Sequence, residues 1–219
     1  MDNERGIRAT RREDIERYVR SCRTEFWKRV MREEADYLAR ALAGSTDVLS
    51  VGCGTAIIEG RLSERGFRVI GLDVSREALD HTPQSVGAVA ARAEDMPFLE
   101  SSFDAVIYVV SLQFIEDYRR AIEQTARVLR PGGELIVMLL NPQSSFFKRK
   151  LHAPGSYVGT IRHAEVKGIE HAVSEIFAVR AEHFLGVDGD TTFESREATE
   201  AALYVIRGVR RLDRHGEKA

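Results

Sequence analysis

From residue 44 to residue 140, short apolar runs alternate with stretches whose apolar positions recur at helical spacing. The runs are 48–51, 68–72, 88–91, 103–110 and 134–140; the helical stretches between them are 55–65, 76–81 and 118–129. Strands apolar on both faces belong to a parallel sheet covered by helices. Their alternation with helices through short connections predicts an α/β, doubly wound, Rossmann-like fold. Two further runs, 179–185 and 201–206, bring the expected mostly parallel sheet to seven strands with helices on both faces.

Outside that rhythm the pattern is helical. Thr10 and Glu13 have capping-box spacing. A second helix is expected from about Thr24, with Trp27, Val30, Met31, Leu38 and Leu42 on one stripe and Gly44 at its stop. After Asn141-Pro142 a long connection carries Phe146, Phe147 and Tyr157, then a helical stretch at 163–177. These features predict one domain of 1–219 in four parts. Residues 1–43 form a helical cap, 44–140 a ligand-binding core, 141–177 a cap insertion, and 178–219 C-terminal strands with a charged, frayed tail.

Composition narrows the picture little. With 219 residues, 43% hydrophobic and 30% charged, the chain buries a core without staples. No apolar run approaches the roughly 18 residues of a membrane span, and the opening residues lack the apolar stretch of a secretory signal. Lys plus Arg is 32 and Asp plus Glu is 34, a net charge of −2 with both signs interspersed, so a nucleic-acid partner is not expected. Two cysteines, Cys22 and Cys53, make neither a disulfide framework nor a zinc site, and a cytoplasmic protein without metal is expected.

The sharpest local signal is Val48-Leu49-Ser50-Val51-Gly52-Cys53-Gly54-Thr55-Ala56, a buried strand running into a glycine turn and a helix. Glycine lets a ligand approach the backbone, and a helix start presents free N–H groups. Asp73 ends the next strand, 21 residues after Gly52. An acid there accepts the hydroxyls of a ribose. A dinucleotide fingerprint asks for a small residue where this chain has Ile57, which weakens a nicotinamide reading.

Two later segments add to this. Ala93-Glu94-Asp95-Met96-Pro97-Phe98 follows the third run, and Leu129-Arg130-Pro131-Gly132-Gly133-Glu134-Leu135 leads into the fifth. With the glycine turn and Phe103-Asp104-Ala105-Val106, the ordered set over residues 45–140 resembles class I S-adenosylmethionine-dependent methyltransferases. The nearest look is to the small-molecule group of ubiquinone and menaquinone biosynthesis. The resemblance implies S-adenosyl-L-methionine as cofactor and methyl transfer to a small molecule. It implies that Gly52, Cys53 and Gly54 face the methionine part, with Val109 offering backbone at the fourth strand's end. Asp73 would bind ribose, Val74 would pack on adenine, and Glu94, Asp95 and Met96 would hold the adenine end. Ser50 belongs to the implied cofactor-binding set too, although the family usually has an acid there, to hold the cofactor's ammonium, and a third glycine at Ala56. Ser50 is then either a passive replacement or the neighbour of another acid in the pocket.

Methyl transfer from a sulfonium needs alignment and exclusion of water more than it needs acid–base groups. No catalytic residue stands out. Tyr18, Gln113, Tyr157 and His163 are candidates for substrate contact, and Cys53 is disfavoured as a nucleophile because the turn requires a small residue there. The partners expected are a small-molecule substrate and, as one option, a second copy in a homodimer. A nicotinamide-dependent oxidoreductase and a non-catalytic cofactor-binding module are the competing readings.

Overall fold

A computed structural model describes residues 16, 19–153 and 156–210. The expected capping box at Thr10 and Glu13, Tyr18 and the tail beyond 210 lie outside the described residues. The chain runs α1 (Glu25–Ala41), β1 (Asp47–Val51), α2 (Ile57–Ser63), β2 (Arg68–Asp73), α3 (Arg76–Leu79), β3 (Gly87–Ala90) and β4 (Phe103–Val109). It continues with α4 (Tyr118–Val128), β5 (Leu129–Leu140), α5 (Ser145–Leu151), α6 (Val166–Ile176), β6 (Phe177–Asp188), β7 (Thr191–Phe193) and β8 (Ala201–Arg210). Short 3₁₀ turns lie at Leu112–Phe114 and Tyr157–Thr160.

The sheet has the order β3-β2-β1-β4-β5-β8-β6-β7. The first five strands pair in parallel; β8 is antiparallel to β5 and β6, and β7 is antiparallel to β6. The described sheet therefore holds eight strands rather than the expected seven. The extra one is the three-residue edge strand β7, which closes a hairpin at Gly189 and is too short to carry an alternation signal. Pro131 and the two glycines after it belong to β5, which starts at Leu129 through a register shift opposite Phe103–Ala105. A Cβ at Gly133 would stand 2.9–3.0 Å from the Arg130 and Asp104 carbonyls, so the bulge needs glycine there.

Strand alternation sorts side chains to two cores. Leu49, Val51, Val106, Tyr108, Leu135 and Val137 face one layer with α4 and α6. Val48, Ala105, Ile107, Ile136, Met138 and Leu140 face the other, with α1, α2 and α5. Helix α1 starts where its stripe predicted: the Thr24 hydroxyl accepts from the Trp27 N–H, and Gly44 takes φ +98° past its end. Both α1 and α5 pack over the carboxyl ends of the parallel strands, where ligands bind in such sheets.

Gln113 ties that end together. It is fully buried, its amide donates to the Leu140 carbonyl at 3.1 Å, and its side-chain carbonyl accepts from the Leu140 N–H at 2.7 Å. Its own backbone carbonyl receives the N–H groups of Arg162 and His163. Gln113→Leu leaves two buried backbone groups unpaired and is expected to cost about 2–4 kcal/mol. Urea unfolding measures this; an unchanged midpoint would show the clasp to be idle.

Candidate functional site

The chain must turn sharply after β1 to reach α2. Gly52, Gly54 and Ala56 take φ of +72°, +56° and +54°, so the left-handed steps fall on the two glycines and one alanine. The N–H groups of Gly52 and Cys53 donate to the Leu72 carbonyl at 2.7 and 3.2 Å. Asp73 accepts from Gly54 N–H and from Ser75 N–H, both at 2.8 Å. Its carboxylate thus fixes the turn and keeps lone pairs in hand for a further donor. A Cβ at Gly52 would lie 2.5 Å from that of Ser111, whereas one at Gly54 would meet nothing within 4 Å. The space over Gly54 is open. Cys53 is pressed against Gly71, whose Cβ would stand 2.6 Å from its sulfur, and burial raises its thiol. It is no nucleophile there.

Above the turn lies a cavity of about 860 Å³. Gly52, Cys53, Gly54, Val109 and Val110 form its floor; Trp27, Val30, Met31 and Phe146 come from α1 and α5, and Leu185 and Leu203 from β6 and β8. The lining is chiefly apolar, with two acids in it. Glu34 on α1 is 6% exposed and Glu59 on α2 is 3% exposed. Burial, then the nearby Glu59 charge, holds the Glu34 carboxyl up at about 8. Burial holds Glu59 up at about 7, against the opposing pull of the Ser50 hydroxyl, which donates to it at 2.5 Å.

Ser50 therefore has an acid partner. It is 1% exposed on the β1 face toward α2, does not line the cavity, and reaches it only through Glu59. This is the arrangement of the second expectation, in which Ser50 neighbours another acid. Both acids went unnoticed in the sequence, although each stands on an inward stripe: Glu34 between Met31 and Leu38, Glu59 between Ile58 and Leu62.

The other expected residues divide. Gly52, Cys53, Gly54 and Val109 meet at the cavity; Asp73, Val74, Glu94, Asp95 and Met96 lie outside its lining. Val74 is 69% exposed just beyond Asp73, Asp95 is exposed, and Glu94 pairs with Arg92 at 2.8 Å. Met96 is buried in the α4 core and its carbonyl is held by Arg127. Of the substrate-contact candidates, Tyr157 lines the cavity, and burial and Glu34 raise its phenol. Gln113 is the clasp described above. His163 sits against Tyr118 with its Nε2 at 2.9 Å from the Ile115 carbonyl, away from the cavity. Among the described residues no cluster of potential metal ligands occurs, and no helix is long and apolar enough to cross a membrane.

Residues 49–137 match a protein family described as a methyltransferase domain. A bifunctional biotin-biosynthesis protein of Cellvibrio japonicus is 32% identical over 145 residues, covering 64% of this chain and 29% of that protein. A ubiquinone-biosynthesis O-methyltransferase of Alkalilimnicola ehrlichii is 34% identical over 124 residues, covering 51% of this chain and 50% of that protein. The chain thus spans half or less of the length of these relatives. The fold is shared with the crystal structure of a SAM-dependent methyltransferase of Thermotoga maritima, at TM-score 0.69 and 21% identity over 91% of this chain and 99% of that one.

The two acids set a pH dependence. Their folded values lie above the ordinary 4.5, so the folded chain holds protons that the unfolded chain has released. This contribution to stability is full below about pH 4.5 and is lost as pH rises through about 7 and 8. Glu34→Gln is expected to flatten the fall in melting temperature between roughly pH 5 and 9, and to melt above the wild type at the alkaline end. Parallel curves would show that Glu34 titrates as an exposed acid.

Proposed function

We propose, from the match of residues 49–137 to a methyltransferase domain, that the chain transfers a methyl group from S-adenosyl-L-methionine to a small molecule. The observation that carries the reading is the glycine turn at the switch point between β1 and β4. It opens, over an uncrowded Gly54, into an apolar cavity of about 860 Å³.

The residues present fit the cofactor. Gly52, Cys53, Gly54 and the strand end at Val109 would receive its methionine part. Asp73, with spare lone pairs beside the turn, would hold the ribose. Exposed Val74 offers an apolar platform for adenine, and Glu94, Asp95 and the backbone at Met96 would meet its edge. In place of the strand acid, Glu59 would supply negative charge for the ammonium, with Ser50 as its fixed donor. When bound, the cofactor supplies a methyl group on a positively charged sulfur. The chain's part is to orient, to exclude water and to hold charge. Within the expected segments 1–43 and 141–177, the described residues of α1, α5 and the turn at Tyr157 would cap the cavity. The apolar residues of α1 and α5 favour an acceptor with an apolar body. The cysteine usage supports a cytoplasmic setting.

Binding tests this reading. S-adenosylhomocysteine at saturating concentration is expected to raise the melting temperature, and NADH is not; the reverse would overturn it. Asp73→Ala removes at least one charge-assisted bond of about 1.5–3 kcal/mol, so affinity is expected to drop by at least roughly tenfold to a hundredfold. Asp95→Ala, on an exposed turn, is expected to cost much less. Calorimetry on both variants distinguishes them, and equal losses would show that Asp73 has no special part.

A further inference from the structure

The acid that the turn does not use is Glu34. It is 6% exposed, it lines the cavity, and among the described residues it has no hydrogen-bond partner. Among the described residues, the fully enclosed side-chain oxygens and nitrogens without a partner are those of Arg61 and Thr82, so the Glu34 oxygens reach the cavity surface. A carboxyl in an apolar wall with nothing to bond is costly unless something arrives to bond it. Ser50 answers Glu59; no described residue answers Glu34.

We propose that Glu34 is the general base for the methyl acceptor, and that the acceptor is a hydroxyl compound with an apolar body. This rests on the methyltransferase reading above. The acceptor's O–H bond breaks and its proton goes to a Glu34 oxygen. The freed electron pair makes the O–CH₃ bond, and the pair of the breaking S–C bond stays on sulfur as a neutral thioether. One positive and one negative charge are consumed together. An apolar, water-poor cavity favours such a step, because the two charges cost most before it and are gone after it. An amine acceptor fits less well: a carboxylate beside it keeps the nitrogen protonated and its lone pair occupied.

The resting cavity holds Glu34 as the neutral acid near neutral pH. It becomes a base once a cation enters. The titratable and charged groups that share the cavity with it are Glu59 on α2, Cys53 in the turn, Tyr157 on the 3₁₀ turn and Lys150 on α5. Asp73 acts on Glu59 and Cys53 from behind, and Cys22 acts on Tyr157. Of these only Lys150 is a cation, and its ammonium lies over the Phe146 ring. A sulfonium ligand therefore brings the charge that lets Glu34 ionise.

The test needs no known acceptor. S-adenosylmethionine is titrated calorimetrically into the full chain near pH 7.5 in phosphate and in Tris, whose ionisation heats differ. Wild type is expected to release on the order of half a proton or more per ligand bound. S-adenosylhomocysteine, without the sulfonium charge, is expected to release less. Glu34→Gln is expected to bind S-adenosylmethionine with nearly buffer-independent heat. Glu34→Asp is expected to keep much of the release. Equal release in Glu34→Gln and wild type, or none in wild type that binds, would overturn the assignment. Absence of binding by both ligands would overturn the methyltransferase reading itself, and the base with it. In a panel of matched hydroxyl and amino compounds on the same apolar skeletons, transfer to the amino members, or hydroxyl transfer untouched by Glu34→Gln, would also overturn it.

Discussion

A parallel strand that hands over to a helix must reverse direction within a few residues while its last carbonyls and the helix's first N–H groups still need partners. Here that requirement is met by one knot of bonds. Leu72 accepts from two turn N–H groups, Asp73 from a third, and the Ser111 hydroxyl donates to the Val51 carbonyl at 2.6 Å. The knot draws the ends of β1, β2 and β4 to one place. It leaves no room for a side chain at Gly52 and leaves open space at Gly54. The cavity, the position of Glu59 and the reach of α1 all follow from where this turn sits.

The second constraint is electrostatic. Placing a carboxyl on the inward stripe of α2 puts it against β1, whose alternation sends residue 50 to that same face. An aspartate at 50 would set two acids together, and one of them would hold its proton. Serine instead gives Glu59 a donor. The serine at position 50 is thus paired with the residue nine places later, and the two form one unit. Glu34 then adds a second acid to the cavity lining, and the Glu59 charge raises the cost of ionising it.

The central strands, the glycine turn, Asp73 and the helix from Thr24 were legible because each leaves a local signature: two-sided apolar runs, a glycine pair before a helical stripe, a cap residue. The acids were not, because an amphipathic pattern is read by its apolar members, and Glu34 and Glu59 register only as interruptions. Their signal is positional, an acid one helical turn from Met31 and Leu38 or from Leu62 on a buried face. The antiparallel edge was half legible. β6 and β8 have apolar runs, but β7 pairs through three residues and helix α5 spans seven, both below the length at which periodicity speaks. Gln113 and His163 looked like pocket residues because they follow strand ends; their partners, carbonyls of distant segments, are visible only in three dimensions.

Backbone strain gives an independent view of where the molecule is committed. Four described non-glycine residues have positive φ: Ala56, Ser101, Val110 and Leu185. Val110 and Leu185 line the cavity and Ala56 closes the turn beneath it, whereas Ser101 lies on an exposed turn. Such conformations cost about 1–3 kcal/mol each and persist only where their surroundings over-determine them. Val110 is β-branched, which makes its φ of +52° the hardest to sustain. Two bonds hold it: its N–H reaches the Met138 carbonyl at 2.9 Å, and the next residue, Ser111, is anchored on Val51. An extended residue at 110 would carry β4 onward along its own line. The left-handed step instead folds the chain under Gly52, so that Ser111 caps β1 and the space above the turn stays clear. The strain at Val110 is what keeps β4 from filling the cavity that β1 opens.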